Sequence, residues 1–206
     1  LIIIGGGMVG ASLACALSGQ GLRIALVEAV EPDTRGEAGY DDRAIALAYG
    51  TRRIFDGLHL WDSLASAVTP IHRIHVSDRG HFGIVRMDRA DEGLPAIGYV
   101  APARAIGQVL ADAIRDIKGL DVFCPARVTA TRRTVGAVDV ELSHQGTQST
   151  LSTRLIVAAD GADSPLREQF GIGHAVSDYQ QTAIVTNITP QLPHNNIAYE
   201  RFTKSG

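Results

Sequence analysis

The chain opens on four apolar residues, Leu1-Ile2-Ile3-Ile4, that run directly into Gly5-Gly6-Gly7-Met8-Val9-Gly10. No other stretch restricts the fold as tightly. A short, continuous, β-branched apolar run marks a strand buried on both faces, as in a parallel sheet. Met8 to Ser18 is small and apolar (Val9, Ala11, Leu13, Ala14, Ala16, Leu17) and predicts a packed helix. Gly19 and Gly21 end it, and Leu22 to Glu28 reads as a second buried strand. Strand, tight turn, helix and strand thus occupy the first 28 residues. Such a βαβ unit has a right-handed crossover.

The turn itself fits G-x-G-x-x-G, and each glycine has a physical task. Gly5 makes the tight turn off the strand, Gly7 lets backbone approach a pyrophosphate, and Gly10 lets the helix pack on the sheet. The helix N-terminus, with Val9 in its first turn, presents unpaired N–H groups and a positive dipole end to phosphate. Glu28 closes the second strand 18 residues beyond Gly10, where a carboxylate can accept from ribose hydroxyls. The pattern does not separate NAD from FAD, although the acid argues against a 2′-phosphate in this pocket. A glycine-rich turn with no ligand would look the same.

Farther along, residues 29–42 read as a polar loop, Arg43 to Leu58 as a helix and Leu60 to Ala67 as a shorter one, with Trp61 as a packing anchor. Ile71–Ser77 and His81–Met87, split by Asp78-Arg79-Gly80, form a hairpin candidate, followed by a charged loop at 89–95. Pro102 suits the first helical position of a helix over Ala103 to Ile117. Strands are expected at Leu120–Cys124, Arg127–Arg132, Val135–Ser143 and Ser149–Ala158. Asp160 to Phe170 reads as a turn into a short helix. Two more strand candidates lie within Ala183–Thr203, split by Pro190 and Pro193.

Composition excludes several classes. The net charge is −3, with 19 basic and 22 acidic residues and no basic run, which argues against nucleic acid as partner. Two cysteines, Cys15 and Cys124, both in apolar contexts, leave no disulfide framework. His72, His75 and His81 near one hairpin read as solvated or packing side chains rather than metal ligands, and no metal site is expected. No Ser-His-Asp arrangement appears, so no catalytic side chain is assigned. No apolar stretch approaches the ~20 residues of a membrane-spanning helix. With no signal-peptide pattern visible, a reducing cytoplasm is the expected compartment. The chain lacks an initial Met and closes soon after a strand-like run, so it reads as the N-terminal portion of a longer protein.

A second motif bears on the cofactor. Leu155-Ile156-Val157-Ala158-Ala159 runs into Asp160-Gly161-Ala162-Asp163-Ser164-Pro165-Leu166-Arg167, or D-G-x-x-S-x-x-R. On the residues alone, Asp160 could simply cap a helix while Gly161 supplies a positive φ. With the first motif beside it, the chain resembles the FAD-dependent aromatic hydroxylases, the group A flavoprotein monooxygenases. The segment Asp41-Asp42-Arg43-Ala44-Ile45-Ala46-Leu47 resembles the D-x-R-x-x-A-L segment of the ubiquinone-biosynthesis hydroxylases among them. On residues alone, Arg43 could instead pair with Asp41 or Asp42 at a helix start.

The resemblance implies an α/β fold. A Rossmann-like FAD-binding domain of the para-hydroxybenzoate hydroxylase type would span 1–69 and 98–176. Part of an interleaved β-rich substrate domain would span 70–97 and 177–206. It implies FAD as cofactor, held by Gly5, Gly7, Val9, Gly10, Glu28, Arg43, Ala44, Arg104 and Asp160, with NADPH or NADH as co-substrate. The implied reaction is hydroxylation of a polyprenyl phenol through a flavin C4a-hydroperoxide. So apolar a substrate implies contact with a membrane surface or a ubiquinone-pathway protein complex. The chain departs from the family in two places. It contains no Gly-Asp dipeptide, and Ala105 stands where related sequences tend to have Asn. Other FAD oxidoreductases of the superfamily, and a nucleotide-binding module without catalysis, remain as alternatives.

Overall fold

The structure is a computed structural model, and it describes residues 1–31 and 43–204. Its first elements are β1 (Ile2–Ile4), α1 (Met8–Leu17), β2 (Ile24–Val27), β3 (Ala44–Ala48), α2 (Tyr49–Gly57) and α3 (Trp61–Leu64). There follow β4 (Thr69–Ile71), β5 (Arg73–Asp78), β6 (Ile84–Asp88), β7 (Gly98–Pro102) and α4 (Ala103–Arg115). The last are β8 (Leu120–Phe123), β9 (Ala126–Thr134), β10 (Ala137–His144), β11 (Thr147–Thr153), β12 (Ile156–Ala158), α5 (Pro165–Gln169) and β13 (Ile197–Phe202). The chain forms two compact units, Leu1–Tyr40 with Gly107–Thr182, and Asp41–Ile106 with Ala183–Gly206.

The first unit is built on a parallel sheet in the order β12-β1-β2-β8. Alternation along its strands separates two cores. Ile3, Ile24 and Leu26 face α1, where Ala14 is fully buried, and Leu13, Leu17 and Ile114 pack around them. Ile2, Ile4 and Val27 face the other way, onto Val140, Leu142 and Ala126 of an antiparallel meander (β11-β10-β9) and onto Leu166 of α5. That is why the opening run is apolar without interruption: both faces of β1 are covered. Removing Ile3 side-chain bulk should cost about 2–5 kcal/mol.

The second unit holds two three-stranded sheets. In one, β7 lies between β3 and β4, antiparallel to both. Trp61 is buried beneath it and meets the Tyr99 ring edge-on at 4.7 Å, the anchoring role expected of it. In the other, β5 pairs antiparallel with β6, forming the expected hairpin, and parallel with β13.

Several expectations need correction. Ala44–Ala48 is a strand, not the start of a helix: it pairs with Gly98–Pro102, and only from Tyr49 does the helix begin. Alanine favours a helix, but pairing with β7 overrides that local preference. The run Ser149–Ala158 is two strands in two sheets, β11 and β12, separated at Arg154-Leu155. Only one strand forms in 183–203 among the described residues; Ile184, Val185 and Ile188 are exposed and find no strand partner. Pro102 ends β7 and the helix starts one residue later. Most of the 29–42 loop, with Asp41 and Asp42, lies outside the described residues.

No helix among the described residues is long and apolar enough to cross a membrane.

Candidate functional site

Both sequence motifs lie at the carboxyl ends of neighbouring parallel strands, β1 and β12, and they touch through backbone. Ile4 C=O accepts from Ala159 N–H at 2.7 Å, and Val27 C=O accepts from Gly5 N–H at 2.8 Å. Gly5 has φ +100°, and a Cβ there would sit 2.2 Å from the Ala159 carbonyl oxygen. A Cβ at Gly10 would sit 1.8 Å from the Gly5 carbonyl oxygen and 3.2 Å from Ile3 Cγ2. Gly10 therefore serves the turn as much as the helix–sheet contact. Gly7 differs: a Cβ there would meet nothing within 4 Å. Its bareness keeps space open in front of the first turn of α1, where N–H groups lack intrahelical acceptors. Val9, in that turn, is 73% exposed.

Glu28 sits just past β2. Its Oε2 accepts from Gly6 N–H at 2.6 Å and its Oε1 from Val30 N–H at 2.8 Å. The carboxylate thus ties the glycine turn to the second strand. Two oxygens offer about four acceptor positions, so two remain for other donors.

Asp160 anchors the second motif. Its carboxylate accepts from Ser164 Oγ–H at 2.5 Å and from Leu166 N–H at 3.2 Å. Ser164, not Asp160, is the N-cap of α5, with Oγ accepting from Arg167 N–H at 3.0 Å. The Arg167 guanidinium donates to the Ala162 carbonyl at 2.8 Å, and Gly161 has φ +96°. The spacing D-G-x-x-S-x-x-R therefore closes a loop on itself and seats Leu166 in the core.

These elements enclose a cavity of about 490 Å³ within the first unit. Gly5, Gly7, Glu28 and Asp160 line it together. Its floor is apolar, with Ile4, Val27, Ala126, Val128 and Leu166. Arg127 and Gln169 also line it, and neither was anticipated. Nothing in the sequence marks them, because they reach the cavity only when the meander and α5 fold onto the sheet. Arg43, Ala44 and Arg104 belong to the second unit. There the Arg43 carbonyl accepts from Ala103 N–H at 2.9 Å, Ala44 opens β3, and Arg104 lies in the first turn of α4.

The hairpin histidines are engaged with neighbours in the second unit. His81 Nδ1 lies 2.6 Å from Asp78 Oδ2, and Arg86 Nε donates to His75 Nδ1 at 3.3 Å. His72 Nδ1 lies 3.4 Å from Asn196 Nδ2. Among the described residues no three His, Cys, Asp or Glu side chains are grouped to hold a metal ion.

The cavity suits a dinucleotide: a carboxylate at a strand end, a bare glycine before a helix N-terminus, and an apolar floor. Comparison with known proteins agrees. Residues 1–202 match the model of the FAD binding domain family, and the chain belongs to that family. Its fold is the Rossmann-like FAD-binding fold of the para-hydroxybenzoate hydroxylase type.

Among curated relatives, ubiquinone hydroxylase UbiL of Rhodospirillum rubrum is 35% identical over 206 residues, covering all of this chain and 47% of UbiL. The 3-demethoxyubiquinol 3-hydroxylase of Escherichia coli is 26% identical over 208 residues, covering all of this chain and 52% of that protein. The crystal structure of p-nitrophenol 4-monooxygenase PnpA from Pseudomonas putida superposes with a TM-score of 0.65 at 18% identity, covering 82% of this chain and 41% of PnpA. The chain spans about half the length of the curated relatives it matches.

Proposed function

We propose that this chain is the FAD-binding portion of a flavin-dependent monooxygenase that hydroxylates a polyprenylated phenol in ubiquinone biosynthesis. The observation that carries the reading is the meeting of the Gly5–Gly10 turn, Glu28 and the Asp160 loop around one cavity. The relatives' names support the pathway, and the segment 41–47 supports the branch. The strings Ile74–His81 and Tyr199–Thr203 resemble one member in particular, 2-octaprenyl-6-methoxyphenol hydroxylase.

In this reading Glu28 accepts from the adenosine ribose and the first turn of α1, with Gly7, Val9 and Gly10, receives the pyrophosphate. Gly5 shapes the turn, and Asp160 holds the loop that borders it. Arg43, Ala44 and Arg104 serve the flavin side. The FAD-binding domain comprises 1–69 and 98–176, and 70–97 with 177–206 belongs to the substrate domain. FAD, reduced by NADPH or NADH, supplies the oxygen-activating chemistry when bound. The protein binds, orients and excludes water. A substrate with a long apolar tail places the enzyme at a membrane surface or within a pathway complex.

The test uses the full-length protein. Heat-released cofactor is identified by chromatography and mass, and NAD(P)H-dependent oxygen insertion into a prenylated phenol is followed by product mass. We expect one FAD per chain and a product heavier by one oxygen atom. A protein that neither carries nor takes up FAD overturns the reading.

A further inference from the structure

Four polar side chains line the cavity of the first unit: Glu28, Arg127, Asp160 and Gln169. Glu28 accepts from two backbone N–H groups, and Asp160 from Ser164 and Leu166. Gln169 is held differently. Its Oε1 accepts from the Thr131 hydroxyl at 3.1 Å. In the structure Oε1, not Nε2, is the end held by the hydroxyl. The Nε2 end has no acceptor among the described residues, so two donors remain available.

Both partners stand on anchored elements. Thr131 lies within β9, opposite the fully buried Val140. Gln169 ends α5, which is capped by Ser164 and seated by Leu166. Val128, Ala126 and Pro165 line the same cavity. A cavity with apolar lining and a primary amide suits a planar base that carries hydrogen-bonding groups on its edge.

We propose that Gln169, oriented by Thr131, reads the base of the bound nucleotide and makes the cavity select adenine. The inference rests on the reading that this cavity takes the adenosine of FAD. Adenine presents an N7 acceptor beside an N6 amino donor, and a glutamine amide matches both at once. Nε2 donates to N7. Oε1 keeps one acceptor position beyond the Thr131 bond and takes an N6 hydrogen. A base with an oxo group at position 6 sets an acceptor against Oε1 and loses one bond of the pair. Of the chain's other polar wall groups, the two carboxylates each already accept from two donors and the guanidinium only donates, so none offers the donor–acceptor pair that matches adenine's N6–N7 edge.

The experiment uses full-length protein stripped of flavin and measures equilibrium binding by flavin fluorescence. The ligands are FAD and its hypoxanthine analogue, which differs only at position 6 of the purine. Wild type should prefer FAD by about tenfold, within the range for a bidentate base contact. Gln169→Ala should bind the two ligands equally. Thr131→Val leaves the amide present but unheld and should lose part of the preference. Should Gln169→Ala fail to fold by circular dichroism, Thr131→Val alone carries the test. Wild-type preference retained in the variant that folds, or absent from wild type, overturns the inference and leaves FAD binding standing. Failure of wild type to bind either ligand overturns the FAD reading itself.

Discussion

Gly7 and Gly10 stand three residues apart in one motif, yet they answer to different constraints. Gly10 has no room for a methyl group, since the Gly5 carbonyl occupies its place. We expect Gly10→Ala to cost at least about 1–3 kcal/mol of stability, the scale of overpacking, as a lowered urea midpoint. Gly7 faces open space and has φ −66°, which alanine adopts freely. Gly7→Ala should change stability by less than about 1 kcal/mol, the scale of an N-cap substitution. It should still weaken FAD binding at least tenfold, as read by fluorescence titration. Equal losses of stability in the two variants would contradict this division. Glu28→Ala removes acceptors from Gly6 and Val30 and, in the proposed reading, from the ribose as well. Its effect on FAD affinity should be ~1–3 kcal/mol, the scale of leaving polar partners unmatched. Unchanged affinity would remove the ribose role.

At the scale of the element, α5 is five residues long and could not persist alone. Its order comes from the Ser164 cap, the Asp160 carboxylate and the burial of Leu166. Ser164→Ala should therefore cost about 1 kcal/mol and Ser164→Thr much less, both measured by thermal unfolding. The β5–β6 hairpin offers a pH test. Ala90 N–H and the Arg73 guanidinium hold the Asp88 carboxyl below its ordinary range. A carboxyl depressed in the folded state stabilises above its unfolded pKa, and that contribution fades as pH falls through the folded value. Acid should loosen this hairpin, seen as faster amide exchange at β6, and Asp88→Asn should flatten the dependence. The strand β3 shows where local signals fail. Ala44-Ile45-Ala46-Leu47-Ala48 carries no preference strong enough to oppose helix, and only the partner strand β7, at least 50 residues on, makes it extended. Likewise nothing local divides β11 from β12; the division arises because one pairs with β10 and the other with β1.

For the whole molecule, binding and stability are linked. If the first unit holds FAD only when folded, excess FAD at 100 times its Kd should add about 2.7 kcal/mol to the full-length protein. Thermal scans with and without FAD should show the rise in Tm, and Glu28→Ala should show less of it at equal FAD. A Tm indifferent to FAD would contradict binding at this unit. The strand–turn–helix–strand opening, the acid at position 28 and the Asp160 motif were all legible in the residues, because each depends on neighbours in sequence or on a fixed backbone requirement. Glycines at a tight turn, a continuous apolar run and a cap spacing leave their mark locally. The gathering of Gln169, held by Thr131, and Arg127 in one cavity with Glu28 was not legible. These side chains come from a meander and a short helix more than 95 residues beyond Glu28, brought there by packing of Ile2, Ile4 and Val27 against Val140, Leu142 and Leu166. Hydrophobic burial is non-directional and records only which residues are inside. Which polar groups then share a cavity wall is decided by strand order and register, and those exist only once the chain has folded.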